Sequence, residues 1–153
     1  MKKYIALTVF LALSAFGYAQ SDSAANYPFL TSPGYEKMRA ETLKANLPKV
    51  LVVMASFEGC APCKMAKRDF LPKIAEAIKP YDRVELYILD VEEDDQADGT
   101  GEFLGQKWNL TNFPSFLVVN VLSDAVKYKK AGYSDLKSKQ EELLKEIMDA
   151  VRN

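Results

Sequence analysis

The chain has no histidine and only two cysteines, Cys60 and Cys63. Structural zinc sites take four protein ligands and catalytic ones three, drawn mainly from those two residue types, so no metal is expected. Two cysteines also cannot build the staple framework of a tiny secreted fold. Charge of one sign is lacking as well, with 20 lysines and arginines against 21 aspartates and glutamates. No basic surplus invites nucleic acid. The one apolar stretch that resembles a membrane segment, Tyr4 to Phe16, is too short for a comfortable span.

That stretch follows Lys2 and Lys3 and precedes Gly17-Tyr18-Ala19, the pattern of a cleaved secretory leader. Residues 1–19 therefore read as a signal peptide with cleavage after Ala19, an uncleaved anchor being the alternative. No cysteine stands near the cleavage point for lipid attachment. The Lys-Lys start and short apolar core have a bacterial look, which places the mature chain in the periplasm, where dithiols can cycle. Without Lys2 and Lys3 the net charge is about −3, and the remaining length suits one domain, expected to be monomeric.

What is present concentrates in Cys60-Ala61-Pro62-Cys63. The tetrad follows an apolar run, Val50 to Ala55, and precedes residues with helical spacing, so it reads as strand, loop and first helical turn. Unpartnered backbone N–H groups and aligned peptide dipoles there favour a thiolate. Cys60 is thus the expected nucleophile, able to fall below the free-thiol pKa of about 8.5, with Cys63 as resolving thiol. Pro62, which has no N–H to lose, suits an early helical position.

Residues 20–34, rich in Ser, Ala, Asn and Pro, read as an arm that docks loosely, with the fold beginning near Tyr35. Tyr35 to Asn46 reads as a helix and Lys49 to Phe57 as a strand too continuously apolar to have one wet face. Ala66, Phe70, Ile74 and Ile78 recur at four-residue steps, with Pro72 expected to kink or restart that helix. Val84 to Val91 is a second strand, followed by an acidic loop from Glu92 to Gly101 and a short helix carrying Phe103, Leu104 and Trp108. Ser115 to Leu122 and Ala125 to Tyr133 read as a hairpin about Ser123-Asp124. A final helix carries Leu136, Leu143, Leu144, Ile147, Met148 and Val151, with Ser138 and Glu141 spaced as a capping box. There is no internal repeat.

This element order, with Cys-X-X-Cys after the first central strand and Pro114 opening a later one, resembles the thioredoxin superfamily from Tyr35 to Val151. The resemblance implies an α/β thioredoxin fold, a central mixed sheet flanked by helices, over residues 35–153. It also implies a cis peptide before Pro114, substrate held by the Phe113 backbone, and a match for Gly132. Gly59, Ala61, Pro62, Phe113 and Pro114 become candidate substrate-binding residues beside catalytic Cys60 and Cys63. No cofactor beyond the Cys60-Cys63 disulfide is implied, and a copper chaperone on this fold would ordinarily add a histidine ligand. Gly59 stands where thioredoxins proper carry Trp, Met54 where they bury an Asp, and Ile88 at the position aligned with their Lys. Glu58 is the candidate substitute acid, set against the plainer reading of a solvated loop glutamate.

The activity expected is a periplasmic protein-disulfide oxidoreductase acting on secreted thiol- or disulfide-containing proteins, reduction or isomerisation being favoured over oxidation. A membrane thiol-disulfide electron donor would be its partner. The alternative is a non-catalytic thioredoxin-fold peptide-binding module with a structural disulfide. Plainer readings go to the other features. Asp94-Gln96-Asp98-Gly99 imitates the start of a calcium loop, but its twelfth position is Gly105 rather than Glu, so a solvated insertion is expected. Trp108 reads as core, Phe113 equally as core or groove, and Lys64, Lys67 and Arg68 as a solvated helix face that could also lower the Cys60 pKa.

Overall fold

A computed structural model describes residues 27–91 and 100–153, with side chains described from Phe103 in the second stretch. The leader, most of the arm and the calcium-like stretch lie outside the described residues. The elements run α1 (Ser32–Ala45), β1 (Val50–Ser56), α2 (Ala61–Asp69), α3 (Leu71–Ile78), β2 (Val84–Asp90), α4 (Thr100–Lys107), β3 (Ser115–Asn120), β4 (Ala125–Ala131) and α5 (Lys137–Arg152). Among the described residues, no helix is long and apolar enough to cross a membrane.

The strands form one mixed sheet in the order β2-β1-β3-β4, with β1 parallel to β2 and antiparallel to β3. β3 and β4 pair antiparallel, as the hairpin reading required. β1 lies inside the sheet and its residues from Leu51 to Ser56 are all buried, which is why its sequence is continuously apolar. Alternation along the strands divides the core. Val52, Met54, Leu86, Ile88, Phe116 and Val118 pack with residues of α2, α3 and α5 on one face. Leu51, Val53, Ala55, Leu89, Leu117 and Val119 pack with Tyr35, Leu104 and Trp108 on the other. Burying each large side chain contributes about 1.5–3 kcal/mol of transfer free energy.

The helical run after the cysteines breaks at Phe70, and α3 restarts with Pro72 in its first turn, as Pro72 led one to expect. Several boundaries differ from the sequence reading. α1 begins at Ser32, where the Thr31 hydroxyl accepts the Gly34 N–H at 3.2 Å, rather than at Tyr35. The arm's end also docks: Leu30 is buried, its N–H donates to the Ile88 carbonyl at 2.8 Å, and the Ile88 N–H donates to the Pro28 carbonyl at 3.0 Å. The capping box does not form. Leu136 is the N-cap of α5, with no side-chain cap, so Ser138 falls inside the helix. The strands β3 and β4 stop two residues short of their expected ends.

Candidate active site

Cys60 occupies the N-cap of α2 with extended backbone, and its Sγ accepts the Cys63 N–H at 3.2 Å. An orphan donor of the helix start thus points at the first sulfur, the arrangement that favours negative charge there. Cys60 and Cys63 are joined by a disulfide, with Cα atoms 5.2 Å apart. Cys60 is 5% exposed and Cys63 1%, so Cys60 is the more accessible residue of a largely covered pair. Ala61 and Pro62 lie exposed beside it in the first turn of α2.

Gly59 leads into the motif with φ +80°, a conformation that strains any residue bearing a Cβ, although open space surrounds the position. Backbone conformation, not crowding, therefore explains glycine before Cys60. The peptide between Phe113 and Pro114 is cis, as the resemblance implied. Pro114 is buried just before β3, whose Ser115 pairs with Ala55 near the end of β1. This register brings the Phe113-Pro114 turn to the end of the sheet from which the cysteine loop springs.

Three contacts fix that turn. Gly132, at φ +93°, donates its N–H to the Pro114 carbonyl at 2.8 Å. The Ser115 hydroxyl donates to the Asn112 carbonyl at 2.5 Å. The Phe113 ring meets Phe57 edge-on, with centroids 5.5 Å apart, and touches both halves of the core. Phe57 is 37% exposed, so the two rings form a partly open aromatic shelf next to the loop. Sequence reasoning missed Phe57, which it counted only as the end of a strand. Trp108 belongs to the core, meeting Tyr35 edge-on at 5.4 Å.

The acid-base surroundings match the sequence reading at Met54, Ile88 and Glu58 and add one group. Met54 and Ile88 pair across β1 and β2 and are both buried in the apolar face. Glu58 is exposed, so the solvated reading holds. Among the described residues, the buried carboxylate is Asp90, 7% exposed, which accepts the Ser56 hydroxyl at 3.4 Å and meets Lys67 Nζ at 3.6 Å. The basic cluster on α2 accordingly divides: Lys64 is exposed, Arg68 binds its neighbour Asp69 at 2.6 Å, and Lys67 turns to Asp90. Only the register pairing Ser56 with Asp90 discloses this group, and a sequence without the sheet does not supply it. Among the described residues, no group of three or more acidic or cysteine side chains could hold a metal ion.

No family model matches the chain, and no curated protein matches it. Solved structures do. A thioredoxin from Nicotiana alata superposes with TM-score 0.55 at 22% identity, over 81% of this chain and 90% of its own. Mitochondrial thioredoxin 3 from Saccharomyces cerevisiae, in its oxidised form, gives 0.55 at 21% identity, over 82% and 97%. Thioredoxin f from spinach chloroplast gives 0.56 at 19% identity, over 82% and 93%. At such identities the likeness establishes architecture, and it agrees with the order and register of the sheet: the chain has the thioredoxin fold.

Proposed function

We propose that the protein is a thiol-disulfide oxidoreductase working through Cys60 and Cys63. The observation that carries this reading is the Cys63 N–H directed at Cys60 Sγ on the N-cap of α2. In the reducing direction, the Cys60 thiolate attacks a substrate disulfide and expels one substrate sulfur, forming a mixed disulfide. Cys63 then loses its proton and attacks Cys60 Sγ, and the second substrate sulfur leaves as a thiolate that takes up a proton. Two electrons pass to the substrate and the Cys60-Cys63 bridge closes. Reversal of the same steps oxidises a dithiol.

Thiol- or disulfide-containing proteins are the substrates on this reading. The exposed Gly59, Ala61 and Pro62, the Phe57-Phe113 shelf and the Pro114 turn provide the surface against which an extended segment would lie. The Lys2-Lys3 start and the apolar run after it support a periplasmic location, with a membrane dithiol donor sustaining reduction or isomerisation.

The roles of the two cysteines are separable by experiment. With a disulfide-bonded protein substrate and a dithiol reductant, Cys60→Ser abolishes turnover, whereas pre-reduced Cys63→Ser, mixed with the substrate after the reductant is removed, still attacks and accumulates a mixed disulfide visible on a non-reducing gel. Full activity in Cys60→Ser would overturn the mechanism.

A further inference from the structure

Strand alternation places Ser56 and Asp90 on the same sheet face as Met54 and Ile88, the face where Cys60, Cys63, Ala66 and Phe70 pack. Lys67 stands one helical turn beyond Cys63 on α2, and its ammonium reaches Asp90. We propose that the Lys67-Asp90 ion pair, its carboxylate steadied by Ser56, is a positioning device that balances two opposed charges beside the reduced Cys63 thiol, so that neither alone shifts its proton affinity. It does so in a chain whose Met54 supplies no acid. The inference rests on the thiol-exchange reading and deepens it.

Cys63 is almost wholly buried among apolar side chains. Its thiolate is disfavoured by desolvation, and charges on that face act through a medium that screens them weakly. Asp90 raises the proton affinity of Cys63 and Lys67 lowers it, so the intact pair nearly cancels. Removing one partner exposes the field of the other.

Among the described residues, the other charges of the neighbouring elements are engaged elsewhere or solvated. Lys64 of α2 and Glu58 of the loop are exposed, and Arg68 binds Asp69. Lys73 of α3 binds Gln140, while Glu146 of α5 binds Tyr128 and Lys130. Burial holds the phenols of Tyr27, Tyr128 and Tyr133 protonated beyond their ordinary range.

The consequence appears in the redox equilibrium. Above the pH at which Cys63 titrates, closing the bridge consumes its thiolate, so whatever stabilises that thiolate favours the reduced pair and makes the bridge more oxidising. Wild type, Asp90→Asn, Lys67→Gln and the double variant are equilibrated in glutathione buffers at a pH above the Cys63 titration, where two reduced glutathiones supply two electrons and any protons the opened pair takes up, and become glutathione disulfide. Thiolate absorbance is followed against pH in parallel.

Asp90→Asn leaves the Lys67 charge unopposed and shifts the equilibrium toward the reduced pair by about threefold or more. Lys67→Gln shifts it toward the bridge by a similar factor, and the double variant returns near wild type. The thiolate titration moves down in the first and up in the second. A merely structural role would not produce opposite signs. Single variants that shift the same way, or not at all, overturn the proposal. Lys67 is partly exposed, so Lys67→Gln decides the matter even if Asp90→Asn fails to fold. A wild-type pair that does not exchange with glutathione contradicts the parent reading instead, and this inference falls with it.

Discussion

Each residue around the motif answers to a local physical demand. Cys60 caps a helix, Pro62 sits where a missing N–H costs nothing, and Gly59 takes a φ of +80°. The last demand has a measurable size. Gly59→Ala places a Cβ in open space but in left-handed backbone, so it should lower stability by about 1 kcal/mol in urea unfolding of the oxidised protein. An unchanged midpoint and slope would show that the loop relaxes to another conformation at no cost. Cys60, Cys63, Pro62 and the glycine were legible in the sequence because their roles depend on near neighbours. Asp90 was not, since its pairing with Ser56 and Lys67 joins two strands and a helix.

At the scale of elements, the turn between β3 and β4 is pinned to α1 and the end of α4. Asp124 accepts the Tyr35 hydroxyl at 2.6 Å and meets Lys107 at 2.9 Å and Arg39 at 3.6 Å. Its partial burial works against the charged form, but the bonds from Tyr35 and Lys107, with the charges of Lys107 and Arg39, hold the carboxyl below its ordinary range. A depressed folded pKa contributes stability above the unfolded value of about 4, lost as pH falls through the folded value. Urea unfolding should therefore find Asp124→Asn less stable than wild type at pH 7, with the difference shrinking toward pH 3. A difference that does not change with pH would mean that shape, not charge, holds the turn. The turn itself was legible from Ser123-Asp124, whereas the cluster was not, because its partners come from distant parts of the chain. The capping box misled for a related reason. Ser138 and Glu141 have the right spacing, but Leu136 starts the helix earlier and Gln140 Nε2 donates to the Ser134 and Asp135 carbonyls before it.

For the molecule as a whole, the sheet order follows from patterns that reach across the sequence: a continuously apolar β1, a second apolar strand, a hairpin and an amphipathic closing helix. The sequence marks residues 20–34 as an arm that docks loosely but not where it docks, because backbone hydrogen bonds pair Pro28 to Leu30 with β2 and leave no side-chain pattern to read. The resulting architecture sets a covered disulfide at the start of α2 and an aromatic shelf beside it. A bridge so placed is either a working redox couple or a permanent staple under a binding groove. The reduction potential of the Cys60-Cys63 pair, measured in thiol redox buffers with thiol trapping, separates the two most directly. A redox-active pair equilibrates reversibly between about −120 and −270 mV, whereas a bridge that stays closed below about −300 mV is structural and contradicts the enzyme reading.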